Sequence, residues 1–188
     1  MTKLQDLIEL AKKQPARDFY VNVFKEVYGF TNKQTKGILP PLESMYLRIL
    51  SEADWHRFVM SIGGKLTIED TASITRHHKV LSDGRMVFCE GSYVVSVNES
   101  MLRRAYQYPS QNPLGDVILN YVIFLIHELL HLADESAEYT IEGELQLHRK
   151  ELEIAEKFLE ICFPEEYKEQ REYELRQILH RKYLGQSV

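Results

Sequence analysis

The chain has 188 residues, 44% of them apolar and 27% charged, which excludes a disordered polymer and leaves room for one domain with a sizeable core. Its 28 acids against 23 Lys and Arg give a formal charge of -5, which argues against a general nucleic-acid binder. Two cysteines far apart, Cys89 and Cys162, exclude a disulfide framework or a zinc ribbon. A reduced, cytoplasmic protein is therefore expected, with no membrane partner. The N-terminus lacks the apolar core of a secretory signal, and the most apolar run, Val117 to Ile126, falls short of the about 20 residues needed to span a bilayer.

In chain order, Leu4, Leu7, Ile8, Leu10 and Ala11 fall at helical spacing. Phe19 to Tyr28 predicts a second helix, with Gly29 as its stop, and Thr31 to Pro41 a loop. Glu43 to Ile62 predicts a long helix with Tyr46, Leu47, Leu50, Trp55, Phe58 and Val59 inward, broken by Gly63-Gly64. From Leu66 to Val97 the character changes. Lys65 to Glu69, Ser73 to Thr75, Arg85 to Cys89 and Tyr93 to Val97 are short β-rich runs separated by turn signals, and predict a small, mostly antiparallel sheet. Tyr106 to Asn112 is a loop.

Asn112-Pro113 opens a helix to about Ala133 that is apolar nearly all round and so belongs at the centre. A helix from about Ala137 to Ile161 carries the stripe Ile141, Leu145, Leu152, Ala155, Leu159 and Cys162. Glu165 to Tyr183 is a last, highly charged helix. The expected fold class is α+β, organised as a helical region 1–62, a core 63–163 and a C-terminal helix 164–188, all within one domain.

The residues that carry chemistry are His127-Glu128-Leu129-Leu130-His131. Four residues of helix turn about 400°, so His127 and His131 share one face, a turn apart, where one tetrahedral ion can accept both imidazoles. Glu128 lies next to the first of them and can take the proton of an ion-bound water, whose pKa zinc lowers to about 7. Leu129, Leu130 and Leu132 flank the trio. Polar side chains in so apolar a helix are costly unless a ligand satisfies them.

This segment resembles the active-site helix of the zincin metallopeptidases. The order of a small sheet, a strand, an HExxH helix and a following Glu-rich helix is similar as well, over roughly Gly84 to Phe163. The resemblance implies a Zn2+ site, with Glu128 as general base and then acid in the hydrolysis of a peptide or protein substrate. It also implies that the strand before the helix, Tyr93 to Val97, forms the edge of the cleft and pairs with the substrate. Asp134 and Ala137 depart from the metzincin branch, which leaves the gluzincin branch, whose third ligand is a Glu on a following helix. If residues 134 to 137 make a tight turn, residues near 129 face residues near 142 to 144, and Glu142 is the favoured ligand.

Glu138, Glu144, Glu151 and Glu153 compete with it, and so does Cys89, because peptide deformylase pairs an HExxH helix with an upstream Cys. Its Glu-Gly-Cys context is scrambled here to Cys89-Glu90-Gly91. His148 and Tyr139 are further candidates, as a ligand or as oxyanion donors. His77 and His78, if adjacent in a strand, point to opposite faces and cannot simply share one ion. The rival to an enzyme is a non-catalytic zincin-like module whose metal staples two helices. Oligomeric state is left open.

Overall fold

The central element is the helix α5, Leu114–Ala133, and the computed structural model wraps the rest of the chain around it. The structure describes residues 1–62, 71–83, 85–134 and 140–184, with the side chains of 78, 80 and 88 excepted. Within them the fold is α+β. In chain order it runs α1 (Lys3–Lys13), α2 (Ala16–Gln34), a 3-10 turn at Leu42–Ser44, β1 (Met45–Leu50), α3 (Glu52–Ser61), β2 (Ala72–Val80) and β3 (Met86–Asn98). Then follow α4 (Glu99–Gln107), α5, α6 (Ile141–Leu159) and α7 (Glu165–Leu184). The β run at Lys65 to Glu69 lies outside the described residues.

The apolar girth of α5 is what makes it central. Ile118, Tyr121, Val122, Leu125, Ile126 and Leu129 are completely buried and form one broad face of the helix, which the buried Val117, Ile123 and Leu130 widen on both sides. By length and composition α5 could cross a membrane; here its apolar surface is buried against protein. α1, α2, α4, α6 and β2 all pack on it. The contact with α2 is specific: the Tyr20 and Tyr121 rings meet edge-on at 4.9 Å, and the Tyr121 hydroxyl donates to the Tyr20 carbonyl at 2.9 Å. One continuous core thus joins the N-terminal helices to the central part of the chain.

Several expectations are corrected. α2 runs through Gly29 and ends only at Thr35. There the left-handed Lys36 and Gly37 reverse the chain, and the Gly37 N–H donates to the Asn32 carbonyl at 2.8 Å. The long helix at 43 to 62 is a strand and a shorter helix. Ser51 divides them, accepting from the Asp54 N–H as N-cap of α3. Residues 45 to 50 satisfy either periodicity, and pairing with β3 decides in favour of the strand. The 1–62 segment therefore lends a strand, β1, to the sheet of the following region. A helix, α4, occupies 99 to 107, capped by Asn98.

The sheet is mixed, in the order β1-β3-β2, rather than mostly antiparallel: β1 runs parallel to β3 and β2 antiparallel to it. Tyr93 to Val97 thus sit in the middle strand, hydrogen-bonded on both sides, and cannot border a cleft. The strand that packs on α5 is β2, which among the described residues lies at the sheet's edge.

Candidate metal centre

His127 and His131 leave α5 on the side facing α6, one turn apart as the spacing predicts. Their Nε2 atoms are 2.9 Å apart, with the rings edge-on at 81°. The third residue to converge on them is Glu144, in the first turn of α6, whose Oε2 lies 3.4 Å from His131 Nε2 and 3.6 Å from His127 Nε2. A tetrahedral ion with ligand bonds of about 2.0–2.1 Å holds its donor atoms roughly 3.3–3.5 Å apart. The His127, His131, Glu144 group is therefore close to the dimensions of such a site, and its two nitrogens and one carboxylate oxygen are a donor set that zinc accepts.

Glu142, the favoured third ligand, is not in this group. Its side chain is 59% exposed and faces Arg149 at 3.7 Å. The reason is helix phase. α6 starts at Ile141, capped by Thr140, whose hydroxyl accepts from the Gly143 N–H at 3.0 Å. Two residues along a helix rotate the side chain by about 200°, so Glu142 and Glu144 point almost oppositely. The face turned to α5 reads Glu144, His148, Glu151, Ala155, and all four are buried.

The other candidates separate cleanly. Glu153 is exposed and paired with Lys157 at 2.6 Å. Cys89 is a half-buried free thiol on β3, outside the metal-capable group. His77 packs its ring near Tyr46. Glu138 and Tyr139 lie outside the described residues.

Glu151 reaches the site without joining the ligand set. It is 3% exposed and spends one oxygen on each of two imidazoles. His127 Nδ1 donates to Oε2, and His148 Nδ1 donates to Oε1 at 2.5 Å. Burial would raise the Glu151 carboxyl, but His127 and His148 more than offset it and hold its pKa below the usual range. An ionised carboxylate only accepts, so the Nδ1 of His127 carries the proton and its Nε2 is the ring atom turned to Glu144 and His131.

The same neighbours set the electrostatics. Burial pushes the His127 imidazole down, yet the carboxylates of Glu151, Glu144 and Glu128 override it and hold its pKa well above the usual histidine value. Glu144 is desolvated too, but hydrogen bonds and charge from His127 and His131 bring it well below the usual carboxylate range. The pocket therefore favours positive charge at its centre.

Glu128 leaves the helix toward the sheet, where its Oε2 accepts the backbone N–H of Ile74 on β2 at 3.2 Å. Burial raises its carboxyl above the ordinary value, against the lowering effect of His127, His131 and that N–H. Two partners had no signal in the sequence. The Ile74 N–H is a backbone group, and Tyr183, near the end of α7, donates its hydroxyl to Glu144 Oε1 at 3.1 Å from 39 residues away.

Comparison with known proteins finds no matching family model, no matching curated protein and no matching solved structure.

Proposed function

We propose that this chain is a zinc-dependent peptide-bond hydrolase of zincin-like build, with His127, His131 and Glu144 holding the ion and Glu128 as its general base. The observation that carries the reading is the convergence of three donor atoms on one point, with a part-buried carboxylate at the adjacent helical position that interacts electrostatically with all three residues. A bound divalent ion supplies Lewis acidity there and brings the pKa of a coordinated water to about 7.

The remaining work falls to the chain. Glu128, whose pKa is raised by its surroundings, takes the water's proton and returns it to the departing amine. The Ile74 N–H fixes one of its oxygens and leaves the other for that transfer. Glu151 fixes the tautomer and direction of the His127 ring. The imidazoles are not fully sealed from solvent, with side chains 18% and 13% exposed. An extended peptide is best accommodated on the outer edge of β2, the strand that carries Ile74 and the edge strand among the described residues, where it adds to the sheet by main-chain pairing. A purely structural zinc is closed by four protein ligands, whereas the group among the described residues has three.

The test is metal analysis with a quenched-fluorescence peptide screen on the wild type and on Glu128→Gln. Both proteins should hold one equivalent of metal, and the variant should lose about 10²–10⁴-fold in turnover. Equal turnover in the two, or no bound metal in the wild type, would sink the reading.

A further inference from the structure

The two oxygens of Glu144 are treated differently. Oε2 faces the imidazole pair, while Oε1 accepts the hydroxyl of Tyr183. That contact is the last rung of a ladder between two antiparallel helices. Lys168 on α7 meets Glu156 on α6 at 3.2 Å, and Glu172 takes both a 2.7 Å and a 3.1 Å bond from Arg149. Leu179, one turn before Tyr183, is buried. The spacing of these contacts brings Tyr183 level with Glu144 at the opposite end of α6.

A carboxylate can bind an ion through one oxygen or through both. Chelation by both would turn Oε1 inward and strip it from the Tyr183 hydroxyl. It would also occupy the coordination place that water needs in a hydrolytic site. We propose that Tyr183 is a positioning residue: by holding Glu144 Oε1 it restricts Glu144 to one bond to the ion, so that α7 sets the coordination number of a centre built on α5 and α6. This rests on the metal reading above and extends it to the C-terminal helix.

Cobalt(II) in place of zinc tests it without reference to turnover, because four-coordinate cobalt absorbs visible light severalfold more strongly than five- or six-coordinate cobalt. The full-length wild type loaded with Co2+ should give the intense four-coordinate spectrum. Tyr183→Phe, with its fold checked by far-ultraviolet circular dichroism, should keep the ion and lose severalfold in absorption as Oε1 swings inward. An unchanged spectrum in a folded, loaded Tyr183→Phe protein overturns the proposal, as does loss of the ion from it, since the three ligands are intact. Failure of the wild type to bind Co2+ or Zn2+ instead overturns the metal reading itself. Should the Phe variant not fold, a crystal structure of the zinc-loaded wild type decides: Glu144 bonded through both oxygens refutes the proposal, and Oε1 kept on Tyr183 supports it.

Discussion

Glu151 offers the sharpest test of the site's electrostatics, because it touches the ligand His127 without being a ligand. Glu151→Gln preserves volume and shape, but an amide has one carbonyl and one NH2 where the carboxylate had two equivalent acceptors. One of the two imidazole N–H groups, on His127 or on His148, must then face a donor. The variant also removes one of the charges that favour a cation at the centre. Loss of such a partner typically lowers metal affinity about 10–100-fold, which is about 1.4–2.7 kcal/mol. Competition between the protein and a chromogenic chelator at fixed pH measures it directly. Affinity within about twofold of the wild type, in a folded variant, would refute the argument that Glu151 prepares His127 for the ion.

Replacing Glu144 by Ala should abolish stoichiometric metal binding, whereas Glu142→Ala should leave it unchanged and cost at most about 1 kcal/mol of stability, the worth of an exposed ion pair; the chelator competition reads the first and urea unfolding the second. Metal removal by chelation should lower thermal stability. At free metal about 100 times Kd, binding contributes about 2.7 kcal/mol, roughly 5–10 °C for a chain of this size, and a melting temperature insensitive to chelator would contradict a site formed in the folded state. Stability should also fall above about pH 10. Burial raises the phenols of Tyr20 and Tyr121, so the folded protein keeps two protons that the unfolded chain releases as pH climbs through the usual tyrosine value. The stabilisation is complete below that value and declines above it by up to about 1.4 kcal/mol per pH unit for each phenol. Urea titrations at rising pH measure the slope, and Tyr121→Phe should lower it without abolishing it, since Tyr28, Tyr106 and Tyr167 are raised as well.

What was legible in the sequence is what a single helix determines. The common face of His127 and His131, the broad buried face of α5, and the existence of α1, α6 and α7 follow from periodicity, and each of these is in the fold. What depends on how two elements meet was not legible. Glu142 and Glu144 are equally acidic and two positions apart, and the choice between them rests on where Thr140 starts α6 and on how that helix turns its face to α5. Residues 45 to 50 read as helix until β3 is there to pair with them. Tyr93 to Val97 looked like a cleft edge because it precedes the metal helix in sequence. β1 arrives from 48 residues upstream and takes the other side of β3, leaving β2, among the described residues, as the edge against α5. In each case a contact distant in sequence decided between local alternatives.

The same reasoning explains why so polar a cluster can sit in so apolar a core. Glu128, Glu144 and Glu151 converge on His127 and its neighbours, and the ion pairs of Glu144 and Glu151 are made with histidines. Three carboxylates against imidazoles that are neutral by default leave a deficit of positive charge, and in a buried site that deficit is expensive. Without an ion, the arrangement is balanced by protons, either on the imidazoles, the direction in which His127 is driven, or on Glu128, whose carboxyl burial raises. A divalent cation supplies the same charge at one point, in contact with His127, His131 and Glu144 together. It also frees the Nδ1–H of His127 to remain on Glu151 while Nε2 turns to the ion. A cluster selected merely to fill the core would be better served by apolar side chains of similar volume. Its carboxylates make physical sense as the counter-charge of a bound cation.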